Sequence, residues 1–146
     1  MAEMNIPQPM DVAGKNRQYD EYMTRLYLSN ATPEESSAFR LMLLDTTLEV
    51  VGEAADWFTT VVEVPISHVD MLLLDWDMLP INSPGAALNE LRMVCPSILI
   101  VIFISEQDAQ KQAALSIAAD MFITKGETPK RIAERLEVVA AGGLAQ

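Results

Sequence analysis

The chain has 146 residues, half of them apolar, and carries 21 acidic against 10 basic residues, which gives a formal net charge of -11. This length and composition predict one globular domain with a substantial core. The negative charge argues against direct binding to nucleic acid or to an anionic lipid surface. Cys95 is the only cysteine of the chain, so a disulfide framework and a cysteine metal cluster are excluded within it.

The two ends of the chain differ from its middle. The N-terminus lacks the pattern of a signal peptide, and no apolar stretch is long enough for a membrane span, so we expect a soluble, cytoplasmic protein. Residues 1–22 contain prolines and polar side chains without periodicity and predict a flexible N-terminal extension. The domain itself is expected to span residues 23–142, followed by a short tail at 143–146.

The first predicted elements form a strand, a helix and a second strand. Residues 25–28 have the apolar pattern of a short strand. A helix is predicted to follow, with Thr32 as the N-cap, Pro33 at the first helical position and Glu35 completing a T-x-x-E capping box. A second strand is predicted at residues 48–51.

The middle of the chain alternates in the same way. Residues 56–64 are rich in β-branched side chains, but their large apolar residues recur at helical spacing, so we predict a helix. Residues 71–75, MLLLD, form a continuous apolar run ending at Asp75, which predicts a strand buried on both faces. A further helix is predicted from Pro84, with Val94 at the end of its apolar face.

Two more strand and helix pairs complete the pattern. Residues 98–104 give the strongest strand signal of the chain, and residues 107–118 favour a helix. A short strand at residues 121–123 precedes a last helix at residues 129–141, with Gly142 predicted to end it.

Five strands, each followed by a helix, predict an α/β protein with a doubly wound parallel sheet in the order 2-1-3-4-5. The carboxyl ends of strands one, three, four and five meet at one edge of such a sheet. This edge is predicted to bring together Asn30, Asp75, Asp77, Ser105 and Lys125. An ion pair or a phosphate contact is the favoured role of Lys125, since Asp75 ends a neighbouring strand.

Four stretches have a recognisable pattern: LEVVGEA at 48–54, LLLDWDM at 72–78, the strand ending in Ser105, and AADMFITKG at 118–126. They resemble the receiver domains of two-component response regulators, particularly the subfamily that carries a helix-turn-helix output domain. The resemblance covers about residues 24–141 and implies the flavodoxin-like (βα)5 receiver fold.

The resemblance also implies roles for individual residues. Asp75 would accept a phosphoryl group from the histidine of a sensor kinase, Lys125 would contact that group, and Ser105 would bond it. Phe122 stands at the position of the family's switch aromatic. Two plainer interpretations stay open: Ser105 as the cap of the following helix, and Phe122 as a core residue.

The magnesium site departs from the family. Receivers have two acidic residues after the first strand, whereas this chain has Asn30 and Ala31, a neutral amide and a methyl group. Only Asp75, Asp77 and Asn30 remain as candidate ligands, so we expect weak Mg²⁺ binding at most. For Glu35 we favour helix capping over metal binding.

The loops that follow the phosphoacceptor also depart from the family. Pro80 lies one residue further from Asp75 than the family's proline, which indicates an insertion at Leu79 or places Trp76 at the acceptor position. We favour the insertion, because Asp75 ends the apolar run. The span between the fourth and fifth strands is also shorter than the family pattern.

These observations predict a stand-alone receiver-like module that acts by protein–protein interaction and is not an enzyme. Its partner would be a histidine kinase, an output protein or another signalling component, and a homodimer stays open. The family's usual partner surface would include Lys111, Phe122, Lys130 and Arg131. The alternatives are an ordinary phosphoaccepting regulator and, less favoured because the loop SNATPEE lacks glycine, a flavodoxin-like enzyme or nucleotide binder.

Overall fold

The computed structural model describes residues 23–109 and 118–145, with side chains up to residue 142. Its strands form one five-stranded parallel sheet in the order β2-β1-β3-β4-β5, so the predicted topology is confirmed. The strands are β1 (Thr24–Ser29), β2 (Leu48–Ala54), β3 (Met71–Asp75), β4 (Leu99–Ile104) and β5 (Met121–Thr124).

Helices follow β1, β2, β3 and β5, and together they cover both faces of the sheet. They are α1 (Pro33–Met42), α2 (Trp57–Glu63), α3 (Pro84–Val94) and the C-terminal helix (Pro129–Ala145), with 3-10 turns at Val64–Ile66 and Trp76–Met78. The helix predicted over 56–64 is therefore confirmed. The predicted N-terminal extension, and residues 110–117 of the helix predicted at 107–118, lie outside the described residues.

The core lies in two layers, one on each face of the sheet. On one face, Leu72 and Leu74 of β3 pack with residues of α3 such as Leu88 and Leu91. On the other face, side chains from β1, β3 and β4 pack with α1 and the C-terminal helix. All five residues of β3 are buried, as its continuous apolar run predicts. No helix among the described residues has the length and apolar character that crossing a membrane requires.

Three local predictions are wrong. Thr32 stands at the N-cap of α1, but its side chain makes no capping hydrogen bond, so the T-x-x-E box does not form. Val94 is largely exposed because it faces the groove between α2 and α3 rather than the sheet. Gly142 does not end the last helix, which continues to Ala145; none of the described glycines has the positive φ of a glycine helix terminator.

The first two strands contain a close backbone approach. The β1–β2 register shifts between Leu26 and Tyr27, and Gly52 lies opposite Tyr27. A Cβ atom on Gly52 would lie 2.7 Å from Cε2 of Tyr27, inside the buried ring's contact distance. Glycine is therefore required at this position so that β2 can continue through Gly52 to Ala54.

Candidate functional site

Asp75 lies at the carboxyl end of β3, in the middle of the sheet between β1 and β4. Its side chain is only 4% exposed. One carboxylate oxygen, Oδ1, accepts a hydrogen bond from the backbone N–H of Asp77 at 3.3 Å and so caps the 3-10 turn that follows. Asp77 itself is exposed. The predicted edge of the sheet therefore carries one buried carboxylate and one solvated carboxylate.

Lys125 follows β5 directly and reaches the same edge. Its backbone N–H donates to the carbonyl oxygen of Ile104, which fixes the residue beside β4. Its Nζ lies 3.3 Å from Oδ1 of Asp75 and 5.2 Å from the centroid of the Phe103 ring. The structure thus brings Asp75 and Lys125 together as an ion pair, with the ammonium group over an aromatic ring.

Glu35 also belongs to this site, although the sequence assigned it to helix capping. Its Oε2 lies 3.6 Å from Nζ of Lys125, and its Oε1 accepts from Nδ2 of Asn30 at 2.9 Å. The buried Asn30 side chain uses its Oδ1 to accept from the backbone N–H of Thr32 at 2.8 Å. The sequence signal for Glu35 is its place in the first helical turn after the predicted site edge, which does not distinguish a contact with Lys125 from helix capping.

Burial and neighbouring charges together set the protonation states of Asp75 and Lys125. Desolvation raises the pKa of Asp75, and Lys125 together with the Asp77 N–H offsets that effect only in part. For Lys125 the balance is the reverse: burial alone would lower its pKa, but the charges of Asp75 and Glu35 raise it above its usual value. The site therefore holds a firmly protonated ammonium group between two carboxylates.

Ser105 follows β4 and bonds locally. Its Oγ accepts from the backbone N–H of Asp108 at 3.2 Å and donates to the Asp108 carboxylate at 3.1 Å. These bonds cap the turn that begins after β4, which favours the capping interpretation of Ser105. The phosphoryl-bonding role stays a prediction.

Solved structures with the same architecture identify the fold. A two-component response regulator of the LuxR family from Aurantimonas sp. SI85-9A1 matches with a TM-score of 0.71 and 24% identity, over 82% of this chain and 86% of that chain. The isolated REC domain of RcsB from Salmonella enterica serovar Typhimurium, in the presence of phosphomimetic BeF3-, matches with a TM-score of 0.71 and 18% identity, over 82% and 90%. The chain has a receiver fold.

A receiver domain protein (CheY-like) from Methanospirillum hungatei JF-1 extends this similarity, with a TM-score of 0.66 and 13% identity over 84% of this chain and 98% of that chain. By sequence, no family model and no curated protein matches. The receiver fold is thus established by its three-dimensional similarity, and the roles of individual residues depend on the geometry of the site.

Receiver folds imply a magnesium ion next to the acceptor carboxylate, and the residues present supply fewer acidic ligands for it than the family pattern does. Mg²⁺ prefers six oxygen ligands in octahedral geometry. The described residues include no group of three or more His, Cys, Asp or Glu side chains that could hold a metal ion. Ala31 offers a methyl group, the amide oxygen of Asn30 is bonded to Thr32, and Glu35 contacts Lys125.

The predicted partner face of the receiver fold is described in part. Phe122 is half-buried and packs against the core layer on the α2–α3 side, which agrees with its plainer interpretation as a core residue. Lys130 and Arg131 are exposed at the start of the C-terminal helix, where Arg131 lies 3.4 Å from Glu127. Lys111 lies outside the described residues.

Proposed function

We propose that this chain is a receiver-like signalling module that acts by binding a protein partner and whose Asp75 accepts a phosphoryl group only weakly. The observation that carries the proposal is the contact network in which Lys125 lies between Asp75 and Glu35. Asn30, which bonds Glu35 in this network, and the adjacent Ala31 take the two positions at which the family pattern has acidic magnesium ligands.

The chemistry of phosphoryl transfer explains why this network weakens it. Catalysis of phosphoryl transfer consists almost entirely of positioning the reactants and stabilising charge, because charge spreads over the oxygens of the transferred group. Here Lys125 must neutralise that charge while it is held by two carboxylates. A Lys125 that is held by these carboxylates stabilises the phosphoryl group less well. Loss of one preorganised electrostatic donor typically lowers the rate by about 10²–10³-fold. We therefore expect phosphorylation of Asp75 to be slow at any magnesium concentration.

A module of this kind acts by presenting a binding surface to a partner and not by catalysing a reaction. The domain would comprise residues 23–142, and its partner would be a histidine kinase, an output protein or another component of a two-component pathway. The receiver family's usual partner surface, which includes Phe122 and the exposed Lys130 and Arg131, is the first candidate for that contact. Binding would then depend little on the phosphorylation state of Asp75.

The experiment is incubation with acetyl phosphate, with and without Mg²⁺, followed by intact-mass measurement. Asp75→Asn is the control, and amide NMR with beryllofluoride follows Asp75 and Lys125 directly. We expect no appreciable Mg²⁺-dependent adduct and no beryllofluoride shifts at these residues. A stoichiometric adduct that requires Mg²⁺ and disappears in Asp75→Asn would instead establish the alternative, an ordinary phosphoaccepting regulator.

A further inference from the structure

The second helix has an apolar outer side. Phe58, Val62 and Ile66 recur at every fourth position of α2 and the 3-10 turn after it, and they are 75%, 49% and 71% exposed. A helix on the surface of a globular protein normally carries polar residues on its solvent side. The outer side of α2 therefore has the composition of a contact surface.

This apolar side continues across to α3. A groove of about 210 Å³ separates the two helices, and Val94 contributes to its far wall. On the α2 side, the residues of the helix and its 3-10 turn that line the groove lie one position before the outer ones: Trp57, Val61 and Pro65. Met93 and Val94 at the end of α3 are also largely exposed. Exposed apolar side chains grouped in this way are typical of protein–protein contact sites, whereas single ones are ordinary.

Most of the charge around this surface is acidic; the exception is Arg25, whose guanidinium donates to the carbonyl oxygens of Ser67 and His68 beyond Ile66. Residues 41–91 contain nine Asp and Glu residues and no Lys or Arg. Glu90 is exposed and lines the groove, and Asp56 is exposed at the start of α2. The next cation along the chain, Arg92, is bonded to the carboxylate of Asp120 at 2.8 Å and to backbone carbonyls. The apolar surface thus has an acidic rim.

We propose that the α2–α3 face, defined by Phe58, Val62, Ile66, Met93, Val94 and the groove between the helices, binds a basic amphipathic helix of another protein. The apolar side of that helix would cover Phe58 and Val62 and enter the groove, and its Lys and Arg side chains would pair with Glu90 and Asp56. A second copy of this chain is the poorer occupant. A two-fold contact would place the same acidic rim against itself.

The size of the surface sets the size of the partner. Residues 57–66 span about 15 Å along the axis at 1.5 Å per residue. A partner helix would anchor apolar residues at positions i, i+4 and i+7, the usual pattern of a helix in a groove. This contact lies on α2 and α3, whereas Lys130 and Arg131 lie on the C-terminal helix, which covers the other face of the sheet. The α2–α3 face is therefore a second interaction site. It does not depend on phosphorylation of Asp75.

A synthetic peptide tests this proposal directly. The probe is a fluorescein-labelled amphipathic peptide of about 18 residues, with Leu and Phe on one side and Lys on the other, because shorter helices are marginal in water. One comparison peptide has Glu in place of every Lys, and another has the same composition in scrambled order. Fluorescence anisotropy measures binding, and amide NMR shifts locate it on the protein.

We expect the Lys peptide to bind with a Kd on the order of 10 µM and to shift residues of α2 and α3. Phe58→Asp should weaken binding by about tenfold or more, as loss of an aromatic anchor does. Glu90→Lys should weaken it by roughly threefold or more through the charge. Val138→Asp is the matched control, since Val138 is 72% exposed on the C-terminal helix, and it should change nothing.

Several results would overturn the proposal. They are equal binding by the Glu or scrambled peptide, binding that survives Phe58→Asp, and no binding at about 1 mM peptide, where any contact is too weak to be specific. A dimer in sedimentation that becomes monomeric in Phe58→Asp would make a second copy the occupant. Circular dichroism checks that Phe58→Asp folds, and Glu90→Lys decides the question alone if it does not.

Discussion

Asp75→Asn should stabilise the protein at neutral pH. The wild-type carboxylate is buried, and its raised pKa means that the folded state disfavours its ionised form even with Lys125 at 3.3 Å. Asparagine keeps the shape of the side chain and removes the buried charge. Lys125 loses one partner but is 28% exposed and keeps Glu35. We therefore expect only a small penalty from the lysine.

The sign of the pH dependence follows from the direction of the shift. Below the usual pKa of 3.8, Asp75 is protonated in both the folded and the unfolded state, so its burial as a charge does not lower the free energy of unfolding. As the pH rises through the raised folded pKa, the unfolded state releases its proton first and the folded state loses stability. The advantage of Asp75→Asn should thus be complete at neutral pH and vanish as the pH falls toward 3.8. Replacement of this buried charge by a neutral group should raise the free energy of unfolding by about 1 kcal/mol, which corresponds to a rise in Tm of roughly 4 °C.

Urea and thermal unfolding of the wild type and the variant, between pH 7.5 and the acid range, measure this difference. Asp77→Asn is the matched control, because Asp77 is the exposed neighbour, and it should change stability by less than about 0.5 kcal/mol. A variant that is less stable than the wild type at neutral pH, or a difference that does not vary with pH, would contradict this prediction. Either result would mean that the Lys125 ion pair outweighs the burial of Asp75.

Two further variants test the contacts of the site and of the sheet. Glu35→Gln should lower the pKa of Lys125, because it removes one of the three carboxylate charges that raise this pKa, and should lower the free energy of unfolding by no more than about 1 kcal/mol. NMR titration of the lysine and urea unfolding measure the two effects. Gly52→Ala should destabilise by about 1–3 kcal/mol, because its Cβ would meet the buried Tyr27 ring, whereas Gly142→Ala, with nothing within 4 Å, should be neutral or stabilising. A neutral Gly52→Ala in the same urea series would contradict the close approach.

The sheet order and the meeting of Asp75 with Lys125 could be predicted from the sequence, for a general reason. A buried strand such as β3 needs a continuous apolar run, and short connections with right-handed crossovers leave few topologies. Once the order is known, residues at strand ends must share an edge. The contact between Asp75 and Lys125 follows from the chain path, without any knowledge of side-chain packing.

The place of Glu35 could not be predicted in the same way. The T-x-x-E pattern supplies a local explanation for this carboxylate, and a local pattern carries no information about Lys125, which lies far along the chain. In the structure Asn30 bonds the N–H of Thr32, so Glu35 turns to Asn30 and Lys125 instead.

The exposure of Val94 was missed for a related reason. Helical periodicity identifies an apolar side but not whether the sheet or a groove faces it.

The most direct test of the account is to restore the acidic pair with Asn30→Asp and Ala31→Asp together. Asp at position 30 can still accept from Thr32 N–H, but it loses the Nδ2 donor that bonds Glu35. The rate of phosphorylation by acetyl phosphate, compared with and without Mg²⁺, is the measurement. We predict that the wild type stays near its magnesium-free rate and that the double variant gains a Mg²⁺-dependent adduct on Asp75. A wild type that already reacts as fast as the variant, and only with Mg²⁺, would contradict it.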